Sequence, residues 1–274
     1  LESDLPNLTS TDLYYGKEEY KEFQDMAADW GVNIISEIET PGHARAFRDV
    51  PGIKMAADGE HLDISDRQTV ETIKGLFDEM LDGDDPVIRN PVVHIGTDEY
   101  YAGTSEQLNE YVCELTQHLA AKGVTMRFWG AFLNNAGVPE GVDKTIPGSQ
   151  CNIWASSGEW SDTLSPTQMM EYGYDLINSN GYNLYMVPGG VEYTDSLNHA
   201  SLYNNWYVNH FDLAGKKTNI MPLGHPQVLG ANFLIWNDRG TSNTGFSIFD
   251  TFTRLQSGTT IVAEKTWHGP KDED

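Results

Sequence analysis

The chain has 274 residues, enough for one large or two small domains with a sizeable core, which excludes a peptide or a disulfide mini-scaffold. Apolar residues make up 39% of it and glycines number 26, a near-globular balance that excludes a wholly disordered chain. Lys and Arg total 17 against 41 Asp and Glu, a net charge of −24, so the average surface repels nucleic-acid phosphates and anionic lipid headgroups and favours neutral or cationic ligands.

The spacing of Tyr20, Phe23, Met26, Ala27 and Trp30 predicts a helix over Lys17 to Trp30, stopped by Gly31. Val32 to Ile38 reads as a strand. Gln68 to Leu81 is expected to be helical, with Val70, Ile73, Leu76, Phe77 and Met80 on one face, and Pro91 to Ile95 is a short β-branched run. Ser105 can cap a helix running to Lys122, which Gly123 ends before a strand at Val124 to Trp129. Further strands are expected at Gln150 to Trp154, Asn183 to Val187 and Val228 to Trp236, with a helix starting at Ser165 or Pro166 and a last one over Phe246 to Trp267.

Buried strands alternating with amphipathic helices imply a parallel sheet with helices outside it. With no compositional break to mark a linker, a single (β/α)8 TIM-type barrel domain over residues 1–274 is the economical reading. About six strands are predicted where a closed barrel needs about eight. The first 13 residues are too short and polar to hold two more, so an incomplete barrel lacking its first two βα units is expected. Leu1-Glu2-Ser3-Asp4 has neither an initiator Met nor a signal pattern, as expected of an end made by processing or cloning. No apolar run approaches the roughly 20 residues that span a bilayer, so no membrane insertion is expected. Cys113 and Cys151 are too few for a disulfide framework or a thiolate zinc site, and one bridge or two thiols are equally permitted.

Barrel enzymes assemble their sites from the C-terminal ends of strands. Here those ends carry Glu37, Glu39 and His43, then His94, Asp98 and Glu99, then Trp129 and Trp154, then Tyr193 and Asp195, and last Trp236 and Asp238. The sharpest element, His94-Ile95-Gly96-Thr97-Asp98-Glu99, runs off an apolar strand through a glycine into adjacent carboxylates. Two carboxylates side by side in a partly dry cleft repel, so one of them is expected to hold a proton near neutrality, an acid beside a base. Taken alone, such a motif is also what an exposed acidic turn would look like. Trp129, Trp154 and Trp236 would offer flat apolar walls to the C–H faces of a sugar ring, although any one of them is equally well explained as packing.

VNIISEIETPGH at Val32 to His43 resembles the strand-and-loop segment of family-20 glycoside hydrolases, the β-N-acetylhexosaminidases and lacto-N-biosidases. VHIGTDEY at Val93 to Tyr100 is similar to that family's His-x-Gly-x-Asp-Glu signature, and the resemblance runs from about Tyr14 to Trp267. It implies removal of a terminal β-linked N-acetylhexosamine or lacto-N-biose from an oligosaccharide or glycoconjugate. Cleavage would be substrate-assisted, the sugar's own acetamido oxygen attacking to give an oxazolinium intermediate with retention. Glu99 would be the general acid and base, Asp98 would orient the acetamido N–H, and Tyr193 would donate to its oxygen, with Tyr203 in reserve. The three tryptophans would wall the pocket, Asp238 would bind terminal-sugar hydroxyls, and Asp195 would bind sugar or cap the following helix. His43 would support Glu99, and His94 would lie behind it. No cofactor or metal is implied, and an extracellular or cell-surface location in a bacterium is.

Two departures accompany the resemblance. Many exo-hexosaminidases carry Glu where Asp238 stands, which brings this chain nearer the lacto-N-biosidase branch. The family's early arginine and aspartate, which hold sugar hydroxyls and the supporting histidine, have no counterpart before Tyr14, so a chain starting at Leu1 is expected to bind weakly. Two other readings compete from the residues alone. A metal-dependent hydrolase could use His94, Asp98 and Glu99, but the paired-histidine spacing is missing; a carbohydrate-binding barrel without turnover would use the same tryptophans.

Overall fold

The computed structural model describes residues 1–130, 148–155, 164–189, 194–212, 219–237 and 247–269. These fall into two compact units, Leu1–Gln150 and Cys151–Asp274.

In the first unit, α1 (Lys17–Asp29), β1 (Glu37–Thr40), α2 (Arg67–Leu81), β2 (Val92–Gly96), α3 (Ser105–Ala121) and β3 (Thr125–Trp129) alternate along the chain. The strands lie in the order β1-β2-β3, all parallel, with Glu37 opposite His94 and His94 opposite Arg127. Because side chains alternate along a strand, Val93, Ile95, Met126 and Phe128 share one face, and all are buried. The other face is chemical, carrying Glu37, His94, Arg127 and Trp129.

Asp66 starts α2 by accepting the Thr69 amide, and the expected stripe of Val70, Ile73, Leu76, Phe77 and Met80 is buried. Thr104, one residue ahead of Ser105, caps α3 in a reciprocal box with Gln107. Helix α1 departs from its pattern. It buries Lys21 and Gln24, while Phe23, Met26 and Trp30 stay exposed. The reason is polar docking: Gln24 donates to the Val87 carbonyl and accepts the Arg89 amide, and Lys21 pairs with Asp85.

Strand β4 (Gln150–Ile153) starts on the last residue of the first unit and otherwise belongs to the second, which also contains α4 (Pro166–Glu171), β5 (Asp175–Asn178), α5 (Gly181–Leu184), β6 (Tyr185–Met186), α6 (His199–Asn205), β7 (Val228–Ala231), β8 (Leu234–Ile235) and α7 (Ile248–His268). Its main strands run β4-β5-β7, with β5 parallel to β7, and β6 pairs with β8. Leu184, Met186, Leu197, Leu202, Trp206 and Val262 form a core cluster. Strand β5 is absent from the predicted set, because Leu176 and Ile177 are its only large apolar residues. The strand expected over Asn183 to Val187 begins instead as α5, because the Asn180 side chain accepts the Tyr182 amide and turns the chain. The long run at Val228 to Trp236 breaks into β7 and β8.

Among the described residues the parallel set is therefore three strands in each unit, six against the about eight of a closed barrel. No described helix is long and apolar enough to cross a membrane.

Candidate active site

The chemical face of the first unit is assembled by two loops pressed against each other. A Cβ on Gly42 would lie 2.5 Å from the Asp98 carbonyl oxygen, a backbone contact that requires glycine, and one on Gly96 would overlap the Glu39 carboxyl group at a positive φ that favours glycine in any case. Gly96, Thr97 and Glu99 have φ of +79°, +89° and +50°, and His43 has +46°. Three non-glycine residues in this region within one site are backbone strain that neighbouring contacts must hold in place. The Thr97 amide donates to Glu39 Oε1 at 3.2 Å, and its hydroxyl donates to the Trp129 carbonyl at 2.9 Å.

His43 stands between the two adjacent acids, with Nε2 3.5 Å from Asp98 Oδ2 and 3.4 Å from Glu99 Oε2. Asp98 and then Glu99 push the imidazole up to about 10, and His43 in turn holds Glu99 below its ordinary range. The second Asp98 oxygen, Oδ1, is buried and accepts no hydrogen bond among the described residues.

Behind this pair lies a second pair of acids. Glu37 Oε1 accepts from Trp129 Nε1 at 2.8 Å and lies 3.1 Å from His94 Nδ1, whose ring packs 4.9 Å from that of Trp129. Burial works against the Glu37 charge, but His94 and Trp129 outweigh it and hold the group below its ordinary range. Glu39 goes the other way, pushed up to about 11 by burial and then by the charges of Asp98 and Glu37. The acid beside a base is thus present, but Glu39 carries the proton. At Glu99 the expectation of a held proton gives way to the charge that His43 places beside it.

The predicted residues His43, His94, Asp98, Glu99 and Trp129 are therefore brought together. Trp154 follows β4 and is buried; Trp236 follows β8 and sets its ring edge-on to Tyr185 at 5.5 Å. Asp195 does not cap α6, a role that Asn198 fills. Its carboxylate accepts from Arg254 at 2.7 Å and from the Gly189 amide at 3.1 Å. Tyr203 lies on α6, with Lys265 Nζ 5.7 Å from its ring centre. Tyr193 and Asp238 lie outside the described residues. Among the described residues no three His, Cys, Asp or Glu side chains are placed to hold a metal ion.

Sequence reasoning missed His61 and Asp58. His61 Nε2 donates to the Glu99 carbonyl at 2.9 Å, and its Nδ1 lies 2.7 Å from Asp58 Oδ2. Asp58-Gly59-Glu60-His61 reads only as a polar turn, and no spacing links it to Glu99.

The catalytic-domain profile of glycosyl hydrolase family 20 matches residues 2–270. The chain belongs to this family. It is thus a glycosidase-family catalytic domain, and the profile spans both units. A lacto-N-biosidase from Bifidobacterium bifidum is 26% identical over 97% of this chain, which spans 24% of that protein, about a quarter of its length. Among solved structures, dispersin B is similar with a TM-score of 0.71 and 20% identity, over 92% of this chain and 78% of its own. A β-N-acetylhexosaminidase from Bacteroides fragilis gives 0.69 and 20%, over 95% of this chain and 53% of its own. These family neighbours bear out the TIM-type barrel as the fold class.

Proposed function

We propose that this chain is a retaining glycosidase that removes a terminal β-linked N-acetylhexosamine or lacto-N-biose by substrate-assisted catalysis. The observation that carries the reading is the buried, unsatisfied Asp98 Oδ1 beside the His43–Glu99 contact. A buried acceptor left unpaired costs about 1–3 kcal/mol or more, so it is a place prepared for a donor. The acetamido N–H of the substrate is that donor. Held there, the acetamido group has its oxygen aimed at the anomeric carbon, and Asp98 stabilises the positive charge that grows on the nitrogen as the ring closes.

Glu99 protonates the glycosidic oxygen as the bond to the anomeric carbon breaks, then takes a proton from the water that opens the oxazolinium. In the resting site the proton lies on His43 beside an ionised Glu99, so the proton that Glu99 hands to the leaving oxygen comes from His43, and the one taken from water resets the pair. No side chain becomes bonded to the sugar. From the family motifs we carry over Tyr193 as donor to the acetamido oxygen, Trp154 and Trp236 as ring walls, and Asp238 as partner of terminal hydroxyls. The similarity to a lacto-N-biosidase supports the disaccharide as one of the two leaving units.

The test is release of nitrophenol from a β-N-acetylglucosaminide and from a β-lacto-N-bioside. Turnover of either, lost by about 100-fold or more in Glu99→Gln, is expected for loss of a general acid. In Asp98→Asn, kcat is expected to fall far more than sugar affinity. Unchanged turnover in Glu99→Gln refutes the assignment, and sugar binding with no turnover of either substrate identifies a binding barrel instead.

A further inference from the structure

Glu99 sits at φ +50°, a conformation that a residue with a full side chain adopts only when its surroundings impose it. One of the groups imposing it is His61, which is 8% exposed and sets its ring edge-on to Tyr100 at 5.5 Å and Tyr101 at 6.0 Å. Both of its ring nitrogens face acceptors, the Glu99 carbonyl on one side and the Asp58 carboxylate on the other. The carbonyl and the carboxylate can only accept, so the two hydrogen bonds are made together when both nitrogens carry hydrogen. Asp58 is fixed in turn, its Oδ1 accepting the amides of Glu60 and His61, and these bonds hold its carboxyl down at about 2.

We propose that Asp58 and His61 are positioning residues for the acid step: they fix the Glu99 backbone and place a positive charge behind its carboxyl group. The proposal rests on Glu99 being the general acid. The charged and titratable groups facing Glu99 are His43 from the turn after β1, Asp98 and Tyr101 from its own loop, and His61 from the segment before α2. His43 meets the carboxylate directly. His61 meets the backbone, so its loss disturbs aim as well as charge.

Leaving-group dependence separates this role from a merely structural one. A dinitrophenolate leaves without protonation, whereas a phenolate needs the acid. His61→Phe keeps a ring against Tyr100 and Tyr101 and loses both hydrogen bonds. Its kcat on the phenyl β-N-acetylglucosaminide is expected to fall about 10- to 100-fold, with a fall of less than about threefold on the dinitrophenyl substrate and little change in KM. In Asp58→Asn the new amide donates to Nδ1, leaving a neutral ring that still donates to Glu99. The basic limb of its kcat/KM profile is then expected to move up by ~0.5–1 pH unit, because Glu99 loses a positive neighbour. Equal losses on both substrates in a folded His61→Phe, or an unmoved limb in Asp58→Asn, overturns the proposal. Should His61→Phe fail to fold, the Asp58→Asn limb decides alone. Glu99→Gln is the control: if it lacks the leaving-group dependence, the assignment of Glu99 falls and this proposal with it, whereas dependence in Glu99→Gln alone sinks only the positioning role.

Discussion

Glu39 keeps a proton because burial and the charges of Asp98 and Glu37 all oppose its ionisation, and this leaves a mark on stability. Its folded value of about 11 lies above the ordinary 4.5, so between those limits the folded chain holds a proton that the unfolded chain releases. Stability contributed by this group therefore falls as pH rises through that window, by at most about 1.4 kcal/mol per pH unit. Glutamine mimics the neutral carboxyl, so Glu39→Gln is expected to fold and to melt with a weaker pH dependence from about pH 5 to about pH 8. Parallel melting curves for the two proteins would contradict the assignment. His43 adds a term of the same sign, present below its ordinary 6.5 and lost as pH climbs through about 10. Glu99 adds the opposite one, present above its ordinary 4.5 and lost as pH falls. The residue types at this site were legible as an acid-rich strand end. Which acid holds the proton was not, because that depends on Glu37 and Glu39 in β1 lying beside His94 and Asp98 in another segment.

Loops, strands and helices set how tolerant the site is. Gly42→Ala and Gly96→Ala are expected to cost about 1–3 kcal/mol of stability and at least about tenfold in kcat, since the first drives a methyl into the Asp98 carbonyl and the second into the Glu39 carboxyl group. Gly31→Ala is the control. Like Gly96 it has a positive φ, +75°, but a Cβ there meets nothing within 4 Å, so only about 1 kcal/mol and no activity is lost. Equal effects in all three, read by denaturant melts and turnover, would show that the close approach is unimportant. Apolar periodicity told the truth about α2, where Ile73 and Phe77 are fully buried. In α1 the same kind of pattern marked the exposed face, because periodicity finds an apolar stripe without saying what covers it, and Gln24 and Lys21 took the inward positions by finding polar partners. Strand β5 hid for the reverse reason, its short apolar pair being flanked by Asp175 and Asn178, which signal turns more strongly than strands.

At the scale of the molecule, a net charge of −24 offers no long-range pull on a neutral sugar. Salt from about 0.05 to about 0.5 M is therefore expected to change kcat/KM on a neutral glycoside by less than about twofold; a larger change would mean that a charged group of the substrate is being read. The TIM-type fold class was legible from alternation, which gives a parallel sheet, together with the length and the lack of a compositional break, which favour one barrel. The residues of the two long motifs, His43 with Asp98 and Glu99, lie together in the structure, whereas Asp58 and His61 escaped because their link to Glu99 runs through a backbone carbonyl that any residue could provide. The central claim is that the sugar's acetamido group, held by Asp98 and assisted by Glu99, performs the displacement. It is tested most directly by measuring kcat/KM across aryl glycosides bearing acetyl, monofluoro-, difluoro- and trifluoroacetyl groups on the 2-amino nitrogen. A steep fall with each added fluorine is predicted, because fluorine withdraws electrons from the attacking oxygen; rates that stay level across the series would contradict the account.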